Sequence, residues 1–267
     1  MKYDILQAYK SYLLQYYCPT TAQTYYNRLE HLFEGQSLFH TVEKLDISKI
    51  LDNLSKVRYK SYFSQSKNAL FHFLKFQNIT LSDEQLKAIE LFQKSTQKKY
   101  RKQKQKNFLF IDKEIKNIKN SKMRLSYQVL MYTGLRVSEL SQITKRDTCI
   151  TDSAIYFSFT GKGGKRESVM LSKKNQETCF YELCDHIKKT KDDKKLFYSA
   201  NYLQATVTRD FQFSCHDLRR IFAKQQFTQT KSKKEVQKKL RHANLKTTKI
   251  YLNSKINIAS RIHNELA

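Results

Sequence analysis

The sequence predicts a mainly α-helical protein in two parts: a small N-terminal helical bundle, then a mixed domain with one small antiparallel β-sheet. Three observations carry that prediction. Apolar residues recur at helical spacing through the first ninety residues and again towards the C-terminus. Strand-like segments flank the glycine-rich stretch Gly161-Lys162-Gly163-Gly164. Between the two parts, Lys94, Lys98, Lys99, Arg101, Lys102, Lys104 and Lys106 occur with no acidic residue and no apolar period.

The elements follow in order. Leu6, Tyr9, Leu13 and Tyr16 lie one helical turn apart, and Pro19-Thr20-Thr21 offers a stop and a new start. Tyr25, Leu29, Leu32 and Phe33 continue the period as far as Gly35. A third helix follows Asp46 with Ile47, Ile50, Leu51 and Leu54. A fourth covers 58–77 with Tyr62, Ala69, Leu70, Phe73 and Leu74, and a fifth runs from Ser82 to Phe92. The aromatic residues of this bundle are assigned to its core rather than to base stacking. The basic run is a solvated tether or an arm lying along phosphate. It sets the boundaries at 1–93, 94–107 and 108–267. Beyond it, helices are expected near 112–119 and 123–133, then strands at 148–151, 154–160 and 166–171. Helices at 173–189, 201–212, 216–229, 232–240 and 245–251 follow, with a tail helix near 256–265.

Charge narrows the partner. Among 267 residues, 50 Lys and Arg face 24 Asp and Glu, a formal +26. A field of that size favours a polyanion, because each neutralised phosphate releases counterions. Composition alone leaves a basic structural protein open. Five cysteines (18, 149, 179, 184 and 215) have no zinc-ligand spacing and suit a reduced compartment. No apolar run approaches the roughly 18 residues a membrane span needs, so the expected setting is cytoplasmic, with no membrane partner.

Four of the five glycines lie beside residues that can do chemistry. Gly134 closes one helix and frees the backbone for a turn into the next. Arg136 then stands at a helix start, where its planar fork can hold two oxygens of one phosphate. Glu139, three positions on, braces this region. Lys162 sits at the tip of a pliable hairpin, either as an exposed turn lysine or as one that swings in to donate a proton to a leaving oxygen; the G-K-G-G-K order lacks P-loop spacing. His216 and Arg219 share a helix face, His242 falls in a turn, and Tyr251 follows nine residues later. A free phenol with a pKa of about 10 is a poor nucleophile. Cationic arginines and an imidazole beside it improve it.

These boxes resemble those of the tyrosine recombinases, the phage-integrase type, and in length and motif style the Xer recombinases. T-G-L-R-V-S-E-L at 133–140 resembles the first arginine box and G-K-G-G-K-R-E at 161–167 the hairpin lysine motif. H-D-L-R at 216–219 resembles the H-x-L-R box, and L-R-H-A-N-L-K-T-T-K-I-Y at 240–251 the histidine–tyrosine signature. The resemblance implies a helical, SAM-like core-binding domain ahead of an α+β catalytic domain. Arg136 and Arg219 would clamp the scissile phosphate, Lys162 would protonate the leaving 5′ oxygen, and His216 would move a proton at the nucleophile. His242 would bond the phosphate and Tyr251 would attack, leaving a 3′-phosphotyrosyl link. No metal or other cofactor is implied.

The resemblance implies that each protomer closes as a C-shaped clamp on a double-stranded DNA site and that a homotetramer synapses two such sites, with a second recombinase or a DNA translocase as further candidate partners. The tail helix, with Ile258, Ala259, Ile262 and Leu266 on one side, would dock in cis or on a neighbour. Lys98, Lys99, Arg101, Lys102 and Arg241 are expected DNA contacts. Two positions depart from the pattern: Arg220 stands in place of a histidine and Arg241 in place of a glycine. A type IB topoisomerase and a non-cleaving DNA-binding protein on the same fold are the rival readings.

Overall fold

The computed structural model describes residues 5–34, 45–96, 106–161, 164–174, 176–211, 213–254 and 256–257. The chain divides into two units, Met1–Lys102 and Gln103–Ala267. Gly35, Lys98, Lys99, Arg101, Lys102, Lys162 and the tail beyond 257 lie outside the described residues.

The first unit holds α1 (Ile5–Tyr16), α2 (Pro19–Leu32), α3 (Ile47–Ser55), α4 (Lys60–Phe76) and α5 (Asp83–Ser95). Pro19 opens α2, where its missing N–H costs nothing. Asp46 caps α3 by accepting from Lys49 N at 3.1 Å. Ser82 and Gln85 form a reciprocal capping box on α5. Leu6, Tyr9, Leu13, Leu29, Ile50, Leu54, Leu70 and Phe73 bury one stripe of each helix into a common core. The phenol oxygens of Tyr9 and Tyr17 lie 2.8 and 3.1 Å from the two ring nitrogens of His72. Tyr16 and Tyr62 depart from the expected core assignment, being 67% and 45% exposed. Tyr16 packs sideways on Tyr12 at the end of α1, and Tyr62 lies under the Arg28 guanidinium at 4.3 Å.

The second unit opens with β1 (Lys106–Asn107), α6 (Phe108–Lys116), α7 (Ser121–Thr133) and the single turn α8 (Val137–Leu140). A three-stranded antiparallel sheet follows, β2 (Thr148–Ile150), β3 (Ala154–Thr160) and β4 (Arg166–Ser172), in that order. Alternation sets its faces: Ile155, Phe157 and Phe159 are buried while Tyr156 is exposed. Then come α9 (Glu177–Lys189), α10 (Ala200–Asp210), α11 (Cys215–Thr230), α12 (Lys233–Leu240), α13 (Leu245–Leu252) and β5 (Ile256–Asn257). Helix α11 packs on α7, α12 and α13, so it is the hub of this unit.

Three boundaries differ from expectation. Helix α6 starts at Phe108 rather than 112, because Phe108 and Ile111 both enter the core. Helix α9 starts at 177 rather than 173, because Lys173 N still bonds Ser153 O at the sheet edge. At the tail, residues 256–257 are not helical; they pair in parallel with 106–107. Ile256 is buried there, and Lys224 Nζ donates to the carbonyls of Ser254 and Ile256. All five cysteines are free. No described helix is long and apolar enough to cross a membrane.

Candidate active site

Three short pieces of backbone deliver the site. Gly134 ends α7 at φ +65, a left-handed conformation that suits glycine, and an added Cβ would meet the Phe222 ring at 2.3 Å. The chain therefore turns sharply onto α8 with Arg136 as its cap residue. Glu139 braces that turn: Oε2 accepts from Arg136 N at 2.8 Å and Oε1 from the guanidinium at 2.5 Å. Burial opposes ionisation of Glu139, but the Arg136 bonds and the Arg241 guanidinium win and hold it below the usual carboxylate range.

Helix α11 begins with a capping box in which Asp217 accepts from Ser214 N at 2.9 Å. That cap sets His216 and Arg219 in the first turns. Arg219 is 1% exposed and donates to the carbonyls of Gly134 and Leu240, tying the end of α7 to the end of α12. Among the described residues its Nε finds no hydrogen-bond partner, leaving a buried donor for an incoming oxyanion. Burial, then Arg136 and Arg241, lower its pKa to about 10, so it is still a cation at neutral pH.

The turn from α12 to α13 carries the rest. Arg241 caps α12 at φ +54 and ψ +43, which costs a non-glycine residue roughly 1–2 kcal/mol. Gln237 then closes the turn on both the N–H and the carbonyl of His242. His242 is buried, with Nδ1 3.0 Å from the Thr248 hydroxyl. Burial, followed by Arg219, Arg136 and Arg241, pushes its pKa down to about 4, so the ring is neutral. It meets Tyr251 edge-on at 4.9 Å between centroids. Burial and then Arg220 and Arg219 also lower His216. The Tyr251 phenol oxygen lies 3.4 Å from His216 Nδ1, a long contact of the kind that tightens when substrate binds. Phe222, Ala223, Val236 and Leu240 form a small separate core on which Tyr251 and Leu252 rest.

The fold thus gathers Arg136, His216, Arg219, His242 and Tyr251, although Arg136 and Tyr251 stand over a hundred positions apart. Arg241 takes a different part from the expected DNA contact. Its side chain is 11% exposed and ion-paired at 3.0 Å with both Glu139 and Glu167, over the Phe159 ring. Arg220 pairs with Asp217 at 2.9 Å and lies 5.8 Å from the Tyr251 ring centroid. Sequence reasoning missed Glu167 and Thr248. The first had no partner nearby in the chain, whereas the second stood in the T-T-x-x-Y spacing and could have been picked from it.

A small sheet beside a helical hub, with a tyrosine held among arginines and imidazoles, is an arrangement suited to phosphodiester chemistry. The profile of the phage integrase family matches residues 113–257, and the chain belongs to that family, the tyrosine recombinases, enzymes that break and rejoin DNA. Solved structures agree on the fold. The XerH site-specific recombinase bound to difH substrate, a pre-cleavage complex, superposes with a TM-score of 0.61 at 19% identity, over 92% of this chain and 78% of that one. The Tn1549 transposon integrase in complex with circular intermediate DNA gives 0.61 at 15%, over 99% of each chain. The lambda integrase tetramer bound to a Holliday junction gives 0.64 at 14%, over 94% of this chain and 77% of that one. No curated protein sequence is significantly similar to the chain.

Proposed function

We propose that the chain is a Xer-like site-specific recombinase that cleaves duplex DNA through a 3′-phosphotyrosyl bond at Tyr251. The observation that carries this reading is the phenol of Tyr251 at 3.4 Å from His216, set among Arg136, Arg219 and the neutral His242. Attack by a phenolate on a phosphodiester builds a pentavalent oxyanion, and fixed guanidinium groups stabilise it without reorganising. Arg136, which keeps a partly exposed side chain, meets the phosphate first. Arg219 follows with its unpartnered Nε. His242 Nε2 is left to donate or accept, because Nδ1 is taken by Thr248. Lys162, from the hairpin, protonates the leaving 5′ oxygen. The phosphotyrosyl bond then conserves the energy needed for religation.

The same reading assigns residues 1–93 to DNA binding, and 94–107 to a basic linker with Lys98, Lys99, Arg101 and Lys102 on phosphates. Four protomers would synapse two sites, as the lambda tetramer on a Holliday junction suggests. Chromosome dimers and mobile elements, inside the cell, are the matching substrates, with a second recombinase or a translocase as accessory. The test is a nicked suicide duplex carrying the protein's selected site. A covalent adduct should form and should vanish in Tyr251→Phe; a persistent adduct in that variant, or none in the parent, rejects the assignment.

A further inference from the structure

Resting on the reading of Tyr251 as nucleophile, the geometry points to Arg241 as a positioning residue that neutralises Glu139 and Glu167 together, keeping both carboxylates off the phosphate that Arg136 must receive.

The chemistry starts from a conflict. A site for a phosphodiester is harmed by nearby carboxylates, yet Glu139 lies within this one and Glu167 is joined to it through Arg241. Glu139 is committed to Arg136 through both its oxygens. Left at that, the pair would cancel the charge on the more exposed arginine. Arg241 alters the balance: its Nη2 lies 3.0 Å from Glu139 Oε2 and its Nε 3.0 Å from Glu167 Oε2. With Arg219, three guanidinium groups then face two carboxylates, and a net positive charge is left for the substrate. Arg241 thereby binds three elements to one another: α8 through Glu139, β4 through Glu167, and the turn that carries His242.

Two features bear on why a guanidinium stands here. The residue sits in the left-handed conformation that glycine adopts without strain. An arginine there is conformationally disfavoured, so its side chain must supply the compensation. The second feature is at Gly161, where an added Cβ would come within 2.9 Å of Glu167 Oε2. The bare backbone there gives the Glu167 carboxylate room beside the hairpin on the way to Arg241. The planar guanidinium hydrogen-bonds Glu139 through Nη2 while its Nε edge pairs with Glu167 by charge alone, a spread of contacts that the compact lysine ammonium does not offer.

The test measures single-turnover adduct formation on the suicide duplex together with DNA affinity. Arg241→Gly suits the backbone at that position, so a folded protein is expected and a thermal melt checks it. Arg241→Gln, which removes the charge but keeps an amide that can donate to a carboxylate, is the second variant. Both should cleave at least ~10-fold more slowly with affinity changed less than about threefold, the signature of an interaction used in the transition state. Adding Glu167→Gln to Arg241→Gly should recover at least about threefold, since it removes a charge that Arg241 had neutralised. A merely structural role would not give that recovery. Parent-like rates in both single variants overturn the proposal, and so does a double variant no faster than Arg241→Gly. In those cases Tyr251-dependent cleavage by the parent leaves the recombinase reading standing. A parent that forms no adduct overturns both.

Discussion

His242 shows how strongly a single residue is shaped by its surroundings. Burial, and after it three arginines, oppose its protonation and hold its pKa at about 4, against 6.5 for a free imidazole. The sign of the consequence follows from proton counting. Between those values the unfolded chain binds the proton and the folded chain does not, so stability rises with pH across that window. The contribution is complete above about 6.5 and is lost as the pH falls towards 4. His216, also depressed, acts in the same direction. Urea midpoints measured from pH 7 down to 4 should therefore fall, and His242→Gln should fall less steeply. A variant with the parent's slope would mean that His242 is protonated in the fold. Neutrality suits its position, because a third full cation beside Arg136 and Arg219 would add repulsion that only a phosphate could relieve.

At the scale of elements, the turn between α12 and α13 is the part on which the placing of Tyr251 depends. Thr248 is buried on α13 and its hydroxyl reaches back to His242 Nδ1. Replacing it with valine keeps the shape but leaves a buried ring nitrogen unsatisfied, a loss of about 1–3 kcal/mol. Thr248→Ser should retain most of that. Denaturant curves distinguish the two, and equal losses would move the cause from the hydrogen bond to methyl packing. The elements themselves were largely legible in the sequence. Leu6-Tyr9-Leu13 and Ile155-Phe157-Phe159 wrote their periods into α1 and β3, and Ser82, Asn120 and Asn244 cap where helices begin. The site was legible by order, since Arg136, His216, Arg219, His242 and Tyr251 fall in recognisable boxes. Other features had no local signature. The left-handed turn at 241 is hidden behind an arginine, a residue that seldom signals positive φ. Glu167 finds its partner 74 positions away, a distance fixed only by the packing of β4 on the rest of the unit. A two-residue strand such as β5 is too short for any period, so its pairing with β1 could not have been read.

On the scale of the whole molecule the dominant quantity is charge, +26 over 267 residues. Charge of that size gives attraction to any polyanion, and by itself cannot say which cations touch phosphate. Salt dependence separates the two. Each phosphate contact releases condensed counterions, so losing one lowers the slope of log K against log salt by about 0.9. Long-range attraction is screened within about 10 Å at 0.1 M salt and contributes little to that slope at moderate ionic strength. Changing Lys98, Lys99, Arg101 and Lys102 together to glutamine leaves the chain strongly basic while removing four candidate contacts. If the segment joining the two units lies along the duplex, the slope should drop by about 3–4, and affinity should fall equally on specific and random DNA, because phosphate contacts carry no sequence information. If the segment is only a tether, the slope stays within about one unit of the parent's. Binding isotherms at four salt concentrations between 50 and 300 mM, fitted for slope and not for a single Kd, decide between an arm that binds and a spacer that joins.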